Sequence, residues 1–441
     1  MSKTVSLHDL SKLSPAERAR LLVRSEADLG PIIEKVKPII AAVKAEGDEA
    51  LARFARQFDK APVTADRIAA APADFTAAFD AVDSEVIAAI EYAADGIRRF
   101  HEAQKPEEMW MKEIRPGAFA GDRFIPIPSV ACYVPRGKGS FPSVVMMTTI
   151  PAVVAGVPRI AIVTPPGPDG NIDAATLVAA KLAGVKEIYK CGGAQGVAAV
   201  AYGTQTVPKL AKIVGPGSPY VVAAKRLLAD VIDPGIPAGP SESIILCDET
   251  ANGRVAALDL IVESEHGPDS SAFLVTNSRA VAEAARKALP EYWQQMGEQR
   301  VAFSSAVLCG PRGGIVLAPD FDQAIAFVND YAPEHLEILA KEPFAHLGRI
   351  QNAGEILLGE HTPVPLGNFV LGPNAVLPTS GQARTCSPLS VFDFMKRSSV
   401  GYVTAGAYPE LARHARVLAT YEGFDGHANA VSGMREQAMK S

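Results

Sequence analysis

The spacing of apolar residues divides the chain into a helical first part and an alternating second part. Apolar positions recur every three or four residues over 31–57 and 81–103, which predicts amphipathic helices. The segment Ser14-Pro15-Ala16-Glu17 has the pattern of a capping box with proline at the first helical position, so a helix is expected to begin there. The first hundred residues are therefore predicted to be helical.

From about residue 128, short apolar runs alternate with stretches of helical periodicity. The runs at 130–134, 159–164 and 212–214 each end at proline or glycine, as buried strands commonly do. A second series of the same kind begins at 243–247. Strands that alternate with helices favour an open parallel sheet, so the sequence predicts an α/β fold with two such units. A helical tail is expected from about residue 390.

Length and composition narrow the class of protein. The chain of 441 residues is too long for one compact core, and 48% of its residues are hydrophobic, so two or more domains are expected. The net charge is −6 and no block of like charge is present, so neither nucleic acid nor an anionic membrane is an expected partner. The apolar stretch at 143–157 contains Pro151 and falls short of the roughly 20 residues that cross a bilayer.

Cysteine usage and the first residues bear on the cellular compartment. The five cysteines are widely spaced and no C-x-x-C pair occurs, so neither disulfides nor a thiolate zinc site is expected. The first residues lack the apolar segment that secretion signals contain. We therefore expect a cytoplasmic protein without a membrane span.

Clusters of acidic residues and histidine could carry chemistry. Glu263 and His266 are three residues apart, which on a helix places both on one face and suits two ligands of zinc. Glu334 and His335 follow a proline, and such neighbours could act as bases on water and on an alcohol. Each cluster is equally well explained by an ordinary helix end. A third cluster, from Glu422 to His427, is typical of a solvated loop in a tail.

Nucleotide-binding motifs are weak, since neither G-x-G-x-x-G after a strand nor a P-loop occurs. Residues 191–196 and 215–218 each follow a predicted strand, where backbone N–H groups can bind phosphate. Ordinary turns between strands and helices have the same appearance, so this alternative stays open. The remaining histidines are assigned no function, and most lie among surface-like charged residues: His8, His101, His346, His361 and His414.

Eight short segments become distinctive when they are taken together and in order. They are Tyr133-Val-Pro, the run from Cys191-Gly-Gly-Ala-Gln to Tyr202-Gly-Thr, Gly215-Pro-Gly, Pro237-Ala-Gly-Pro-Ser-Glu, Glu265-His-Gly-Pro-Asp, Tyr331-Ala-Pro-Glu-His-Leu-Glu, Val376-Leu-Pro-Thr, and Glu422-Gly with His427-Ala-Asn-Ala-Val. In this order they resemble the histidinol dehydrogenase family. The resemblance covers the chain from about residue 28 to its end.

The resemblance implies a homodimer with two incomplete Rossmann-like domains and shared active sites. Residues 28–132 and 241–389 would form the domain that binds substrate and zinc, and residues 133–240 would bind NAD. A helical segment of 1–27 would precede them, and a tail of 390–441 would cross to complete the partner's active site. Enzymes of this family take an alcohol through a bound aldehyde to an acid and reduce two NAD.

The resemblance also implies functions for particular residues. His335 would take the alcohol proton, and Glu334 would activate water for the second oxidation. The zinc ligands would be Glu263, His266, Asn368 and, from the other subunit, His427. The residues on the substrate side would be Ser143, Ser241 and Glu422, and those touching NAD would be Tyr133, Gln195 and Ser218.

Departures from the usual pattern of the family bear on the substrate. Glu263 replaces a glutamine and Asn368 replaces an aspartate, so the two charge changes cancel and the zinc site is expected to persist. Ala375 replaces an imidazole that lines the histidinol site, while Arg136 and Lys138 add cations near it. A site that loses an imidazole and gains cations should prefer a smaller or anionic substrate.

These departures resemble the branch that oxidises sulfopropanediol, (R)-2,3-dihydroxypropane-1-sulfonate, to 3-sulfolactate. The sequence therefore predicts a zinc-dependent, NAD-linked dehydrogenase for this diol, with Arg136 or Lys138 holding the sulfonate. The alternatives are oxidation of L-histidinol to L-histidine, a zinc hydrolase on the same scaffold, and a non-catalytic NAD- or metal-binding protein. Retention of both Glu334 and His335 argues against the last of these.

Overall fold

The computed structural model describes residues 4–24, 29–136 and 139–441, and it confirms an α/β fold with parallel sheets. The strands are β1 Leu7–Asp9, β2 Met109–Arg115, β3 Ala118–Pro126, β4 Ser129–Tyr133, β5 Arg159–Thr164, β6 Glu187–Lys190, β7 Lys212–Val214, β8 Glu242–Cys247, β9 Ser271–Thr276, β10 Gly313–Leu317, β11 His335–Leu339, β12 Glu355–Leu358 and β13 Met395–Val403. The α-helices are α1 Pro15–Leu21, α2 Gly30–Glu46, α3 Asp48–Phe54, α4 Pro72–Ala81, α5 Ser84–Gln104, α6 Pro142–Ala155, α7 Ala174–Ala183, α8 Gly193–Tyr202, α9 Pro219–Leu227, α10 Gly253–Ser264, α11 Arg279–Trp293, α12 Glu298–Leu308, α13 Phe321–Tyr331, α14 Val364–Phe369, α15 Tyr408–Tyr421, α16 Asp425–Ala430 and α17 Gly433–Ala438.

The chain forms two units of unequal size. The larger unit comprises the chain up to Lys105 together with Ile127–Phe394, and the smaller comprises Pro106–Pro126 and Met395–Ser441. The larger unit contains two parallel sheets, with strand orders β1-β10-β9-β8-β11-β12 and β6-β5-β4-β7. The smaller unit contains the antiparallel sheet β13-β3-β2 and the helices α15 to α17. Among the described residues, no helix combines the length and apolar character that crossing a membrane requires.

The six-stranded sheet is covered on both faces because its central strands are continuous apolar runs. Ile245 and Leu274 belong to the core on one face, together with Leu260 of α10. Ile244 and Phe273 belong to the core on the opposite face, on which α13 packs. Successive strand residues point to opposite faces, so one uninterrupted apolar run supplies both cores.

The N-terminal helices pack with the four-stranded sheet. Val36 of α2 and Leu51 of α3 share one core with Val163 of β5 and Val197 of α8. Helix α2 packs against α8 and α9. The division that groups 28–132 with 241–389 in one substrate- and zinc-binding domain stays a prediction. An amphipathic pattern identifies the face of a helix that is buried but not the surface that covers it.

Four strands (β1, β2, β3 and β13) lie where the sequence predicted helix or no element. Within the predicted helical segment 1–27, β1 pairs in parallel with β10, with Leu7 opposite Ile315. The tail after residue 390 contains β13, which pairs with β3, and β3 in turn pairs with β2. Most residues of β2 and β13 are exposed, so these strands carry no clear apolar alternation. Their pairing partners, which are distant in sequence, decide their conformation.

The candidate functional residues lie at the carboxyl edge of the four-stranded sheet and at the amino edge of the six-stranded sheet. In the four-stranded sheet the chain moves outward from β4 through β5 to β6 and then returns to the other side of β4 for β7. The carboxyl ends of β4 and β7 therefore form a topological switch point, where ligands commonly bind. In the six-stranded sheet Glu242, His335 and Glu355 are the first residues of their strands, so they lie at the amino edge.

Candidate active site

A tight turn places Glu334 and His335 at the amino edge of the six-stranded sheet. Helix α13 ends at Tyr331, and Ala332 takes a left-handed conformation with a φ of 54° before Pro333 and β11. Strand β11 lies between β8 and β12, so the pair is inside the sheet rather than at its border. Glu334 is 7% exposed and His335 is 3% exposed. Buried polar groups of this kind need partners.

The imidazole of His335 lies among three carboxylates. Its Nδ1 is 2.9 Å from Oε2 of Glu355, and its Nε2 is 3.9 Å from Oε1 of Glu334 and 4.0 Å from Oε1 of Glu263. Burial by itself would lower the pKa of His335, but these carboxylates outweigh burial and raise the pKa to about 10. The ring is hydrogen-bonded at Nδ1, whereas Nε2 faces the two other acids.

The carboxyl group of Glu334 is held by the neighbouring strand. Its Oε2 accepts a hydrogen bond of 2.8 Å from the backbone N–H of Glu242, at the start of β8. Burial raises the pKa of Glu334 to about 8, although His335 opposes the shift. A carboxylate with a raised pKa is a stronger base than an exposed glutamate, which suits activation of water near neutral pH.

A second cluster lies at the carboxyl end of α10. Glu263 is 1% exposed, and its Oε2 lies 3.2 Å from Nδ1 of His266 across the three-residue spacing. Its Oε1 accepts a hydrogen bond of 3.2 Å from Nδ2 of Asn368, and the hydroxyl of Ser241 also donates to this carboxylate. Burial opposes ionisation of Glu263, but His266, His335 and these donors outweigh burial and lower its pKa.

The residues of this cluster fit a divalent cation. Among the described residues, the Oδ1 atom of Asn368 has no hydrogen-bond donor although it is buried, and the side chain of Asn368 lies against the carboxylate of Glu263, which in turn contacts the imidazole of His266. Oxygen and imidazole donors of this kind suit zinc, and a cation would neutralise the negative charge around His335. Within residues 4–24, 29–136 and 139–441, no three or more His, Cys, Asp or Glu side chains stand together in metal-binding geometry. The cluster thus offers two such side chains and one amide.

Glu422 and His427 belong to the smaller unit. Glu422 directly follows α15, and His427 lies in α16 with its ring centroid 5.2 Å from that of Phe424. Both side chains are exposed. Their functions in a shared active site stay predictions, since those functions depend on a second copy of the chain.

The switch point of the four-stranded sheet gathers residues predicted to contact NAD. Tyr133 ends β4, and its hydroxyl accepts a hydrogen bond of 2.9 Å from the N–H of Gly193 at the start of α8. Gln195 is buried in the first turn of α8, and Ser218 immediately precedes α9. A Cβ atom at Gly215 would lie 2.3 Å from the carbonyl oxygen of Tyr133, so two backbones meet closely here. Two helix N-termini beside such a turn suit the pyrophosphate of a dinucleotide.

The remaining predicted substrate residues lie on loops and a helix start. Ser143 is half-buried in the first turn of α6. Arg136 donates from Nη1 to the carbonyl oxygen of Asn171 at 2.9 Å. Burial raises the pKa of Asp59 to about 6, and the charge of Arg136 opposes that shift. Lys138 lies outside the described residues. Both of these interactions of Arg136 are with the protein itself, so its function toward a substrate stays a prediction.

Sequence reasoning assigned no function to three charged residues around the Glu334 and His335 pair, namely Glu242, Glu355 and Arg24. Glu355 begins β12, and Arg24 donates from Nε to Oε1 of Glu242 at 2.8 Å. The available signal was a charged residue at the start of an apolar strand, as in Glu355-Ile-Leu-Leu, because charges are rarely buried without a partner.

The prediction that His101 lies among surface residues was wrong. His101 is 0% exposed, and its Nδ1 lies 2.8 Å from the carbonyl oxygen of Ile97. Its Nε2 lies 3.4 Å from Nδ2 of Asn374, the residue before Ala375. Its charged sequence neighbours occupy the exposed face of α5, whereas His101 lies on the face that packs against α6. An imidazole thus lies near Ala375, the position at which the family pattern is predicted to have one.

A buried base beside a zinc-type ligand cluster, in an α/β fold with a dinucleotide-type switch point, indicates a zinc- and NAD-dependent dehydrogenase. A family model described as Histidinol dehydrogenase matches residues 22–435, so the chain belongs to the histidinol dehydrogenase family. Members of this family are NAD-dependent, zinc-containing enzymes that act on CH–OH donors.

Individual relatives agree with this assignment. The chain is 66% identical over 433 residues to Histidinol dehydrogenase homolog 2 of Mesorhizobium japonicum, with 98% of each chain covered. It is 46% identical over 422 residues to Histidinol dehydrogenase of a Synechocystis species, covering 96% of this chain and 97% of that one. The crystal structure of Histidinol Dehydrogenase from Elizabethkingia anophelis has a TM-score of 0.93 at 32% identity, with 99% of each chain covered.

Proposed function

We propose that this enzyme oxidises sulfopropanediol through a bound aldehyde to 3-sulfolactate and reduces two NAD. The observation that carries the reaction type is the placement of Nε2 of His335 between Glu334 and Glu263, at 3.9 and 4.0 Å. One buried imidazole thus lies within reach of both a second base and the predicted zinc ligands. This arrangement suits an alcohol oxidation followed by hydration and a second oxidation at one place.

In the first oxidation, Nε2 of His335 accepts the proton of the substrate hydroxyl. The Nδ1 side is occupied by Glu355, so only Nε2 is available as a base. Zinc held by Glu263, His266, Asn368 and His427 would orient the hydroxyl and favour its ionisation, while NAD at the switch point would accept the hydride.

In the second oxidation, Glu334 removes a proton from the water that adds to the aldehyde. Its Oε2 is fixed by the N–H of Glu242, which leaves Oε1 on the side of His335. His335 then acts again on the hydrated aldehyde. Because both groups are buried, bulk water is excluded and the aldehyde is retained between the two steps.

The choice of sulfopropanediol is supported by the residues that depart from the family pattern. Ala375 offers a methyl group where an imidazole would contact histidinol, which favours a smaller substrate. Arg136 and Lys138 would supply positive charge for a sulfonate. Relatives at 63% to 66% identity carry the name homolog, whereas a relative named Histidinol dehydrogenase stands at 46%.

A cytoplasmic homodimer completes the proposal. His427 and Glu422 would enter the active site of a second copy, where His427 would be the fourth zinc ligand. The smaller unit exposes apolar side chains on α15, with Val417 62%, Leu418 63% and Tyr421 91% exposed. An exposed apolar face of this kind is typical of a surface that another chain covers.

The alternative substrate is L-histidinol, which the fold similarity to Histidinol Dehydrogenase from Elizabethkingia anophelis favours. The deciding experiment measures NADH formed by zinc-loaded enzyme with limiting (R)-sulfopropanediol or L-histidinol. Two NADH per sulfopropanediol with little histidinol turnover supports the proposal. Two NADH per histidinol would instead identify L-histidinol as the substrate. If neither compound gave NADH, the chain would still belong to the family, but its substrate would be a different alcohol.

A further inference from the structure

We propose that Glu355 is a positioning residue that fixes the orientation and the tautomer of His335. The inference rests on the proposed function and deepens it, since it concerns the base of the same reaction. No part of the sequence pattern that suggested the family includes Glu355. Strand register, burial and one hydrogen bond support this function of Glu355.

Strand register brings the two side chains together. Strands β11 and β12 pair in parallel with His335 directly opposite Glu355. Two backbone hydrogen bonds of 2.9 Å hold this register just before the strands, from Gly354 to Pro333 and from Glu355 to Glu334. Side chains at paired positions point to the same face of a sheet, so the backbone itself sets the approach of carboxylate and imidazole.

The hydrogen bond determines which nitrogen of His335 carries the proton. An ionised carboxylate has no hydrogen to give, so Nδ1 must donate to Oε2 of Glu355 across their separation of 2.9 Å. In the neutral ring the lone pair then lies on Nε2, the atom that faces Glu334 and Glu263. When Nε2 takes a proton, the carboxylate of Glu355 stabilises the resulting imidazolium.

The surroundings keep the carboxylate in place. Glu355 is 7% exposed, so it cannot move into solvent without breaking the packing. A Cβ atom at Gly367 would lie only 2.6 Å from Oε1 of Glu355, so the missing side chain at Gly367 makes room for the carboxylate. Gly367 precedes Asn368, and Glu355 therefore lies between the base and the segment that carries a predicted zinc ligand.

The first measurement reads the tautomer without turnover. Zinc-loaded protein labelled with [15N]histidine is studied by magic-angle-spinning NMR, and the His335→Gln variant identifies the signals of His335 by their loss. In wild-type spectra recorded at a pH high enough for the ring of His335 to be neutral, we expect a protonated Nδ1 and a bare Nε2. In Glu355→Leu, which has no acceptor, the two tautomers should mix. A bare Nδ1 with a protonated Nε2 in the wild type would overturn the proposal.

The second measurement separates positioning from stability. Glu355→Gln keeps the size of the side chain and removes its charge, and we expect kcat to fall by about 10- to 100-fold, the range seen for groups that orient a residue in direct contact with the substrate or metal. The KM values, zinc content and Tm should change little, while the isotope effect with substrate deuterated at the reacting carbon should rise. Glu187→Gln is the matched control, a strand carboxylate of the other sheet paired with Arg159 at the surface.

The outcomes for the substrate and for Glu355 are distinct. Wild-type turnover of sulfopropanediol or histidinol decides the proposed function, whereas the ratio of variant to wild type on the substrate that is used decides the inference. Full activity in Glu355→Gln, or a loss that follows Tm and zinc content with no change in isotope effect, would overturn it. The NMR result holds even if neither substrate is turned over.

Discussion

Oε1 of Glu263 and Nε2 of His335 face each other at 4.0 Å, from the last turn of α10 and the first residue of β11. One group is a predicted zinc ligand and the other a predicted base. Because both are buried, the charge on one strongly affects the other. The zinc site and the base are therefore expected to respond together to substitution.

The charge balance of the zinc ligands can be tested by a double exchange. Glu263→Gln removes the only carboxylate of the predicted ligand set, and we expect zinc affinity to fall by about 10-fold or more, as for loss of a charge-assisted contact. Adding Asn368→Asp should restore zinc affinity, because the two side chains are in hydrogen-bond contact at 3.2 Å. Zinc retained after dialysis is measured. If the double variant retains no more zinc than Glu263→Gln, the ligand assignment is wrong.

Glu334→Gln should separate the two oxidations. The amide keeps the shape of the side chain but cannot take a proton from water, so the first oxidation should continue and the second should slow by about 100-fold or more. NADH formation should approach one per substrate, and the aldehyde should be detectable with a carbonyl-trapping reagent. His335→Gln should abolish both steps. An unchanged stoichiometry of two NADH in Glu334→Gln would contradict the assignment.

Arg136→Ala tests how the sulfonate is held. If Arg136 contacts the anionic group, the KM for sulfopropanediol should rise by about 10- to 100-fold, the equivalent of a charge-assisted hydrogen bond. The KM for NAD should stay unchanged. Arg159→Ala, in an exposed pair with Glu187, is the control. Unchanged activity on the anionic diol would show that Arg136 does not hold the sulfonate, and Lys138 would then be the remaining candidate.

Glu337 gives a prediction about stability at high pH. Glu337 is 0% exposed and lies within hydrogen-bond reach of Asp259, which is 5% exposed, and in the part of the chain that the structure describes neither oxygen of Glu337 has another donor. Burial and the neighbouring carboxyl raise the pKa of Glu337, so the pair shares a proton near neutral pH. The unfolded glutamate titrates near pH ~4.3, so folded-state stability declines as pH rises above that value.

Glu337→Gln should remove most of this decline, because the amide is a neutral donor at every pH. We expect the variant to gain about 1 to 3 kcal/mol relative to wild type between about pH 5 and about pH 9, the cost of a buried polar group without a partner. Urea unfolding at the two pH values measures the difference. If the free energy of unfolding changed equally with pH in the variant and in the wild type, Glu337 and Asp259 would share no proton.

His101 gives the opposite dependence. Burial lowers the pKa of His101, although hydrogen bonds to the carbonyl groups of Ile97 and Leu389 oppose the shift. The stability it contributes is present above the unfolded pKa of about 6.5 and is lost as pH falls below that value. His101→Gln should flatten the loss of unfolding free energy in mild acid, whereas His414→Gln, at an exposed site, should not. Equal acid sensitivity in both variants would refute this.

Much of the class and of the site could be predicted from the sequence. The alternation of apolar runs and helical stretches predicted the parallel sheets, because strand and helix periodicities are local properties. Motif order predicted the family, and chain adjacency alone joined Glu334 to His335. The contact between Glu263 and His266 followed from helical spacing, which is equally local.

Tertiary structure decided which distant elements meet. The register of β11 with β12 gave His335 its partner Glu355, and packing of α10 brought Glu263 to the same imidazole. The pairing of β1 with β10 and the packing of α2 against α8 likewise depend on surfaces far apart in the chain. Apolar periodicity specifies that a face is buried, but the covering surface is selected by the whole arrangement of sheets and helices. The sequence alone therefore determined the class and the local pairs, and the fold determined the environment that tunes them.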